Sequence, residues 1–500
     1  MSIDNIFNKN LRLICLLIIL AEILSFLGYY YQLINFIVFF IVVILALILS
    51  LYRLKYGLFI LLAELLIGSF GYLFYFETGG FKISIRIALW LIIMSVWLAK
   101  TVIEFIRTKK LELRFFRSSY LFYFLTLFIF IAFGVINGFL AKNSINDIFF
   151  DFNNWLYFLL IFPIFSVVKD DNNLKIIKRI FLIAISWLSL KTIVLAYIFS
   201  HSFNFFGLDL YFWVRRSGVG EITQVVPGFS RIFMQSHIFV LIGFFVLLFY
   251  LLKNLKEDWF ALSRKNYYLS ALSILLLSTI LISFSRSFWL GLAAGGLFVW
   301  LIAIFKLKIG LRRFIIFNLS VLAIIILSLS LVAAIIKFPC PKPSGGFNAA
   351  NLLSDRATQI ANEAGASSRW QLLPPLWQKI KTGPILGKGF GATVTYKSSD
   401  PRVLAVSSAG EYTTYAFEWG WLDVWLKLGI FGLLAYLILF VKIIFEGLKA
   451  GSRFALSLAA GLILILAVNI FSPYVNHPLG IGFLIVAAVI MENLKLKNSC

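Results

Sequence analysis

Five arginines in this sequence stand where positive charge needs a reason: Arg215 and Arg216, Arg231, Arg286 inside the tight stretch SFSRS (283–287), and Arg369. A guanidinium fork grips phosphate oxygens bidentately, so several of them converging at a membrane face could hold a diphosphate whose lipid tail stays in the bilayer. Glu418 is a carboxylate that could accept a proton, with Glu411 and Asp423 nearby. His201, His237 and His477 are the only histidines and could titrate near neutral pH. Trp370, Trp377, Trp419, Trp421 and Trp425 crowd the same region, and their flat faces could stack on sugar rings. Each feature also has a plainer reading. Lone arginines snorkel to lipid phosphate, Glu418 could form a structural ion pair with one of them, an interfacial histidine is commonly just hydrogen-bonded, and tryptophans form the usual interfacial belt.

The elements that must position these residues are set by composition. The chain has 500 residues, 61% of them hydrophobic and 17% aromatic, with a mean hydropathy of +0.96, so its solvent is a bilayer. Apolar runs of roughly 17 to 25 residues predict about fourteen spans (12 to 14) in an all-α polytopic membrane protein. They lie at 12–29, 33–51, 56–76, 84–106, 119–140, 148–168, 176–199, 232–252, 267–284, 288–306, 313–337, 419–446, 454–471 and 478–493. Basic residues gather in alternate connections, such as Arg107, Lys109 and Lys110, then Lys169, Lys175 and Lys178, then Lys306, Lys308 and Arg312. Positive-inside bias then predicts a multi-pass protein of the cytoplasmic membrane with both termini cytoplasmic. This placement accounts for most of the +23 charge and argues against a nucleic-acid partner. The first span has no small-residue cleavage site before Tyr29 and is read as a retained helix.

The organisation follows: N-terminal transmembrane helices over 1–337, one large extracytoplasmic loop over 338–417, and C-terminal transmembrane helices over 418–500. Chemistry in such a chain is expected around the loop, since the rest is lipid-matched helix. All five arginines fall on the outer side of this topology. Within the loop, 351–363 and 367–380 read as short amphipathic helices. GKGFG (387–391) lacks the Walker spacing and reads as a tight turn. Cys15, Cys340 and Cys500 lie too far apart in the topology for a disulfide framework. No Cys/His cluster or HExxH pattern predicts a metal site, and no cofactor is expected. Among intramembrane ionisable residues, Lys100 and Glu104 are spaced to pair at i, i+4, while Glu64 could mark an ion pathway, with Lys191 the fourth to watch.

Between about 265 and 440 the sequence resembles the O-antigen ligase and O-antigen polymerase family. Ser285, Arg286, Trp289, Leu290 and Gly291 are similar to the family's Ser-Arg…Trp-Leu-Gly segment. Arg369, Trp370, Pro384, Gly387, Gly389 and Gly391 follow its next run, and Gly429 and Gly432 its Gly-x-x-Gly element. Arg231 in FSRIFMQSH is a weaker echo. The resemblance implies a C-type glycosyltransferase-like architecture that moves a preassembled glycan from a polyprenyl-diphosphate carrier to a glycolipid, glycan or protein acceptor, without a metal or nucleotide sugar. It implies phosphate-binding roles for Arg231, Arg286 and Arg369, with Arg215 and Arg216 as further substrate-binding candidates beside His237 and Trp419. The family's histidine place holds Glu418 here and its asparagine place holds Trp419, so the catalytic base is expected to be a carboxylate or one of the histidines.

A flippase or transporter for lipid-linked or anionic solutes is the competing expectation. Transporters usually show paired halves with broken helices in corresponding places. This sequence carries its single large loop in one half and no internal repeat.

Overall fold

The computed structural model describes residues 9–79, 81–110, 113–201, 203, 207–254, 264–345, 364–398, 401–405, 407 and 409–499. In lipid the backbone must satisfy its own hydrogen bonds, so the apolar runs become helices. Along the chain come α1 (Lys9–Tyr30), α2 (Gln32–Tyr52), α3 (Leu54–Ile67), a hairpin of β1 (Tyr75–Thr78) and β2 (Phe81–Ser84), and α4 (Ile85–Thr108). Then follow α5 (Leu121–Leu140), α6 (Ile145–Phe152), α7 (Ile161–Val167), α8 (Asp171–Ser200) and α9 (Gly207–Arg216), and a hairpin of β3 (Glu221–Val226) and β4 (Phe229–Phe233). Next are α10 (His237–Asn254), α11 (Arg264–Ser283), α12 (Arg286–Leu301), α13 (Leu311–Ile336) and α14 (Ala364–Lys381). The chain ends with β5 (Val394–Lys397), α15 (Pro401–Leu404), β6 (Glu411–Thr414), α16 (Gly420–Ala450), α17 (Arg453–Val468) and α18 (Pro478–Ser499).

Eleven of the described helices are long and apolar enough to cross a membrane, and α10 and α17 are shorter apolar helices. The all-α polytopic expectation therefore holds, with two spans redrawn. The run at 56–76 is helical only over Leu54–Ile67 before the chain turns into β1. The run at 232–252 begins inside β4 and becomes helical at His237. Hydropathy alone cannot separate a short buried strand from a helix end, and the punctuation carried the answer. Pro227 and Gly228 sit between β3 and β4, and Gly228 takes φ +79. The helix expected over 367–380 falls inside α14, whereas the one at 351–363 lies outside the described residues.

The chain divides into two compact units. One comprises Met1–Leu113, Phe162–Phe347 and Gly451–Gly461, the other Arg114–Ile161, Asn348–Ala450 and Leu462–Cys500. The first unit buries two ion pairs that the bilayer would otherwise penalise. Arg86 grips Glu64 with Nε to Oε2 at 2.8 Å and Nη2 to Oε1 at 3.1 Å, and its Nη1 donates to Ser69 O at 2.8 Å. Lys191 pairs with Glu22 at 2.7 Å and lies 4.8 Å from the Trp213 ring centroid. Glu64 is thus clamped by a bidentate partner, which leaves the ion-pathway expectation without support. Lys100 donates to Ser50 O at 2.9 Å rather than pairing with Glu104.

The second unit has a small apolar centre where α14 meets α16. Leu372, Leu376 and Ile380 recur every four residues along α14 and are buried against Val394, Phe417 and Leu426. This stripe sets the rotation of α14 and so the direction of its remaining side chains.

Candidate active site

Arg369 lies one turn before Leu372 on α14, where the apolar stripe gives way to solvent. Its Nε donates to Glu418 Oε2 in an ion pair. The two side chains are 34% and 51% exposed, so the pair is open to an incoming ligand. Trp419 fixes the local geometry. Its Nε1 donates to Arg369 O at 2.9 Å, its ring meets Trp370 edge-on at 5.3 Å, and Phe471 packs at 5.2 Å on it. Three of the residues singled out in the sequence therefore meet, 49 and 50 residues apart in the chain. Trp370 keeps an exposed ring beside them.

One turn further along α16 the unit holds a buried polar cluster. Lys427 Nζ bridges Asp423 Oδ1 at 2.6 Å and Asp151 Oδ1 at 2.5 Å. Asp151 Oδ2 accepts from Gly391 N at 2.9 Å, and Asn476 donates to Asp423 Oδ2. Four chain segments meet at this cluster: α6, the glycine turn, α16 and the residues before α18. Beside the cluster, burial pushes the Tyr415 phenol up from its usual range, and the Asp151 and Asp147 carboxylates add to the shift. Tyr415 therefore stays a hydroxyl donor at neutral pH. Sequence reading placed Asp423 only as an alternative base and missed Asp151 and Lys427. Lys427 four residues after Asp423 in an apolar span was a usable signal.

The turn GKGFG is pressed against α5. Gly389 takes φ +76, and a Cβ there would stand 2.0 Å from Gly138 N. Its neighbours spend their amides on protein: Lys388 N on Leu426 O at 2.6 Å and Phe390 N on Gly134 O at 3.0 Å. With Gly391 N on Asp151, these N–H groups have no vacancy for phosphate, in keeping with the tight-turn reading. The same segment explains a break in α16. Gly429 takes φ +72 inside that helix, and Ile430 N donates instead to Pro384 O at 3.0 Å.

The first unit positions the remaining arginines. The β3–β4 hairpin leans on the SFSRS turn, with Phe229 packed 5.7 Å from Phe284. From β4, Arg231 Nε donates to Ser283 O at 3.0 Å while its guanidinium lies 5.0 Å from the Phe233 ring. Phe284 takes φ +47 in the turn, and Arg286 opens α12 two residues later. Arg231 and the turn that carries Arg286 thus form one corner. Arg215 and Arg216, exposed at the end of α9, engage their own helix: Arg215 Nη1 donates to the Tyr211 hydroxyl at 2.6 Å, and Arg216 lies 4.2 Å from the Phe212 ring.

The histidines are spoken for. His237 is fully buried, its Nδ1 accepts from Met234 N at 3.3 Å, and its Nε2 meets Thr192 Oγ1 at 2.8 Å. With Nδ1 as acceptor, Nε2 carries the proton and donates to the threonine. This places His237 in the packing of the unit. His201 is buried, with Nδ1 2.7 Å from Tyr197 O and Nε2 2.8 Å from Phe338 O. His477 accepts from Leu479 N at 3.3 Å. Glu411 stands opposite Lys397 across the β5–β6 hairpin.

Residues 271–437 match the family model described as O-Antigen ligase. The match takes in the Arg286 turn, α14 with Arg369, the glycine turn, and α16 through its break at Gly429. A search of curated proteins finds no match to the chain. Over 271–437, this multi-pass membrane protein is similar to the O-antigen ligase family.

Proposed function

We propose that the protein transfers a preassembled glycan from a polyprenyl-diphosphate carrier to an acceptor hydroxyl on the outer face of the cytoplasmic membrane, in surface polysaccharide synthesis. The O-antigen ligase match supports a membrane enzyme that processes glycans. The observation that carries the finer reading is the half-exposed pair of Arg369 and Glu418, braced by Trp419. A solvent-reachable ion pair contributes only about 0–1 kcal/mol, so it is a poor staple and an exchangeable one. A diphosphate offers the guanidinium a bidentate, more highly charged partner. Arg369 moving to phosphate would free Glu418 as a proton acceptor. In that step the acceptor oxygen bonds to the anomeric carbon, the bond from that carbon to the diphosphate oxygen breaks, the hydroxyl proton goes to Glu418, and polyprenyl diphosphate leaves. Arg286, and Arg231 beside its turn, are assigned to phosphate oxygens by the same chemistry. The exposed Trp370 ring offers a face for a sugar.

The deciding experiment gives the purified protein, in lipid, a polyprenyl-diphosphate oligosaccharide with no other acceptor. Transfer that begins only when a glycolipid or protein acceptor is added supports the proposal as a ligase. A ladder of longer lipid-linked glycans would instead make it a polymerase of the same family. No consumption under either condition would refute glycan transfer and favour transport.

A further inference from the structure

Part of the second unit carries large apolar side chains that stand exposed. At the end of α5, Phe139 and Leu140 are 53% and 74% exposed. On α6, Ile145 and Phe149 are 72% and 59% exposed, and after α14, Ile385 and Leu386 are 56% and 52% exposed. Two asparagines fasten these pieces together. Asn137 Nδ2 donates to Gly387 O at 2.8 Å, and Asn143 Nδ2 donates to Phe390 O at 2.8 Å and Lys388 O at 3.1 Å. The tip at 385–386 is therefore held beside the last turn of α5, a helix apolar enough to cross the membrane with only 28% of its window buried. Whatever solvent surrounds Leu140 surrounds Leu386 as well.

Two further features point to lipid as that solvent. Lys379, Lys381 and Lys388 flank the tip in sequence, the pattern of a basic apolar element at an anionic surface. Trp377 is 38% exposed and meets Trp425 edge-on at 5.5 Å, while Trp425 Nε1 donates to Pro384 O at 2.9 Å. Paired indoles, one exposed and one half-buried with its N–H satisfied, are common at a membrane interface.

We infer that the segment from Gly383 to Gly391 is a re-entrant wedge whose Ile385–Leu386 tip inserts into the bilayer leaflet faced by the Leu140 end of α5. Its backbone is tolerated at that depth because the amides of residues 387, 388, 390 and 391 are satisfied by protein. The inference does not depend on the transfer reading and is tested without activity.

The test uses the full chain with Cys15→Ser, Cys340→Ser and Cys500→Ser, reconstituted in nanodiscs containing anionic lipid. A nitroxide is attached in turn to Leu386→Cys, Ile385→Cys, Leu140→Cys and Lys449→Cys. Collision with oxygen, which concentrates in the bilayer, is compared with collision with a water-soluble nickel chelate. At 386 and 385 oxygen should dominate severalfold, as at 140 and opposite to 449. Dominance of the nickel chelate at both tip positions would overturn the inference, because the tip would stand in water. Low accessibility to both reagents would also overturn it, since another protein surface would then be the occupant. Labelling both tip positions guards against one variant that fails to fold.

Discussion

At the scale of single residues, the structure separates charges that can be spent from charges that are committed. Arg369 and Glu418 are exposed and weakly bound to each other, whereas Arg86 and Glu64 are buried and locked. Two consequences can be measured. Glu418→Gln keeps the shape and removes the basic oxygen, so turnover should fall about 10²- to 10⁴-fold, the usual share of a general base, with little change in membrane yield. Unchanged turnover would return Glu418 to a purely structural role. Arg286→Ala should abolish detectable transfer while the protein still inserts, since loss of one electrostatic stabiliser of a leaving group costs about 10²- to 10³-fold. Near-wild-type turnover in that variant would remove Arg286 from the chemistry.

At the scale of elements, Lys427 decides the second unit. It neutralises two buried carboxylates and joins segments far apart in sequence. Lys427→Met would leave Asp151 and Asp423 facing each other without a cation, a loss of about 3–5 kcal/mol. A clear fall in the thermal midpoint of the purified protein should report it. The triple variant Lys427→Met, Asp151→Asn, Asp423→Asn should recover most of that fall, because a neutral cluster has no charge to solvate. A single variant as stable as the parent would show that the cluster is not a tie. Elements were only partly legible beforehand. Apolar runs predicted the helices because lipid forces backbone bonds inward, but the hairpins at 75–84 and 221–233 hid inside the same hydropathy. Arg369, Glu418 and Trp419 were legible as types near one loop. Their meeting was not, because it depends on the rotation that Leu372, Leu376 and Ile380 impose on α14. Asp151 escaped notice because its partner lies 276 residues away.

At the scale of the whole molecule, charge placement predicts that the chain enters and leaves the membrane on the same side and keeps 338–417 on the other. Cys340 tests this directly. It is exposed at the start of the loop, where Tyr197 OH also bonds its carbonyl. A membrane-impermeant maleimide added to intact spheroplasts should label Cys340 fully, and Cys340→Ser should abolish the labelling. Labelling that requires the membrane to be opened first would invert the topology and with it the outer-face assignment of every arginine above.

The break at Gly429 sets a ruler on this molecule. Helix α16 has 31 residues, which at 1.5 Å of rise each is about 46 Å, half as long again as the roughly 30 Å hydrocarbon slab. Cut at Gly429, the piece from 430 to 450 alone measures about 31 Å and matches the slab, leaving about 13 Å from 420 to 428 with no acyl chains to fill. Asp423 and Lys427 ride on that surplus, and Glu418 stands just beyond it. The glycine thus converts an overlong helix into a rod matched to the slab, with a short polar-bearing stub beyond it.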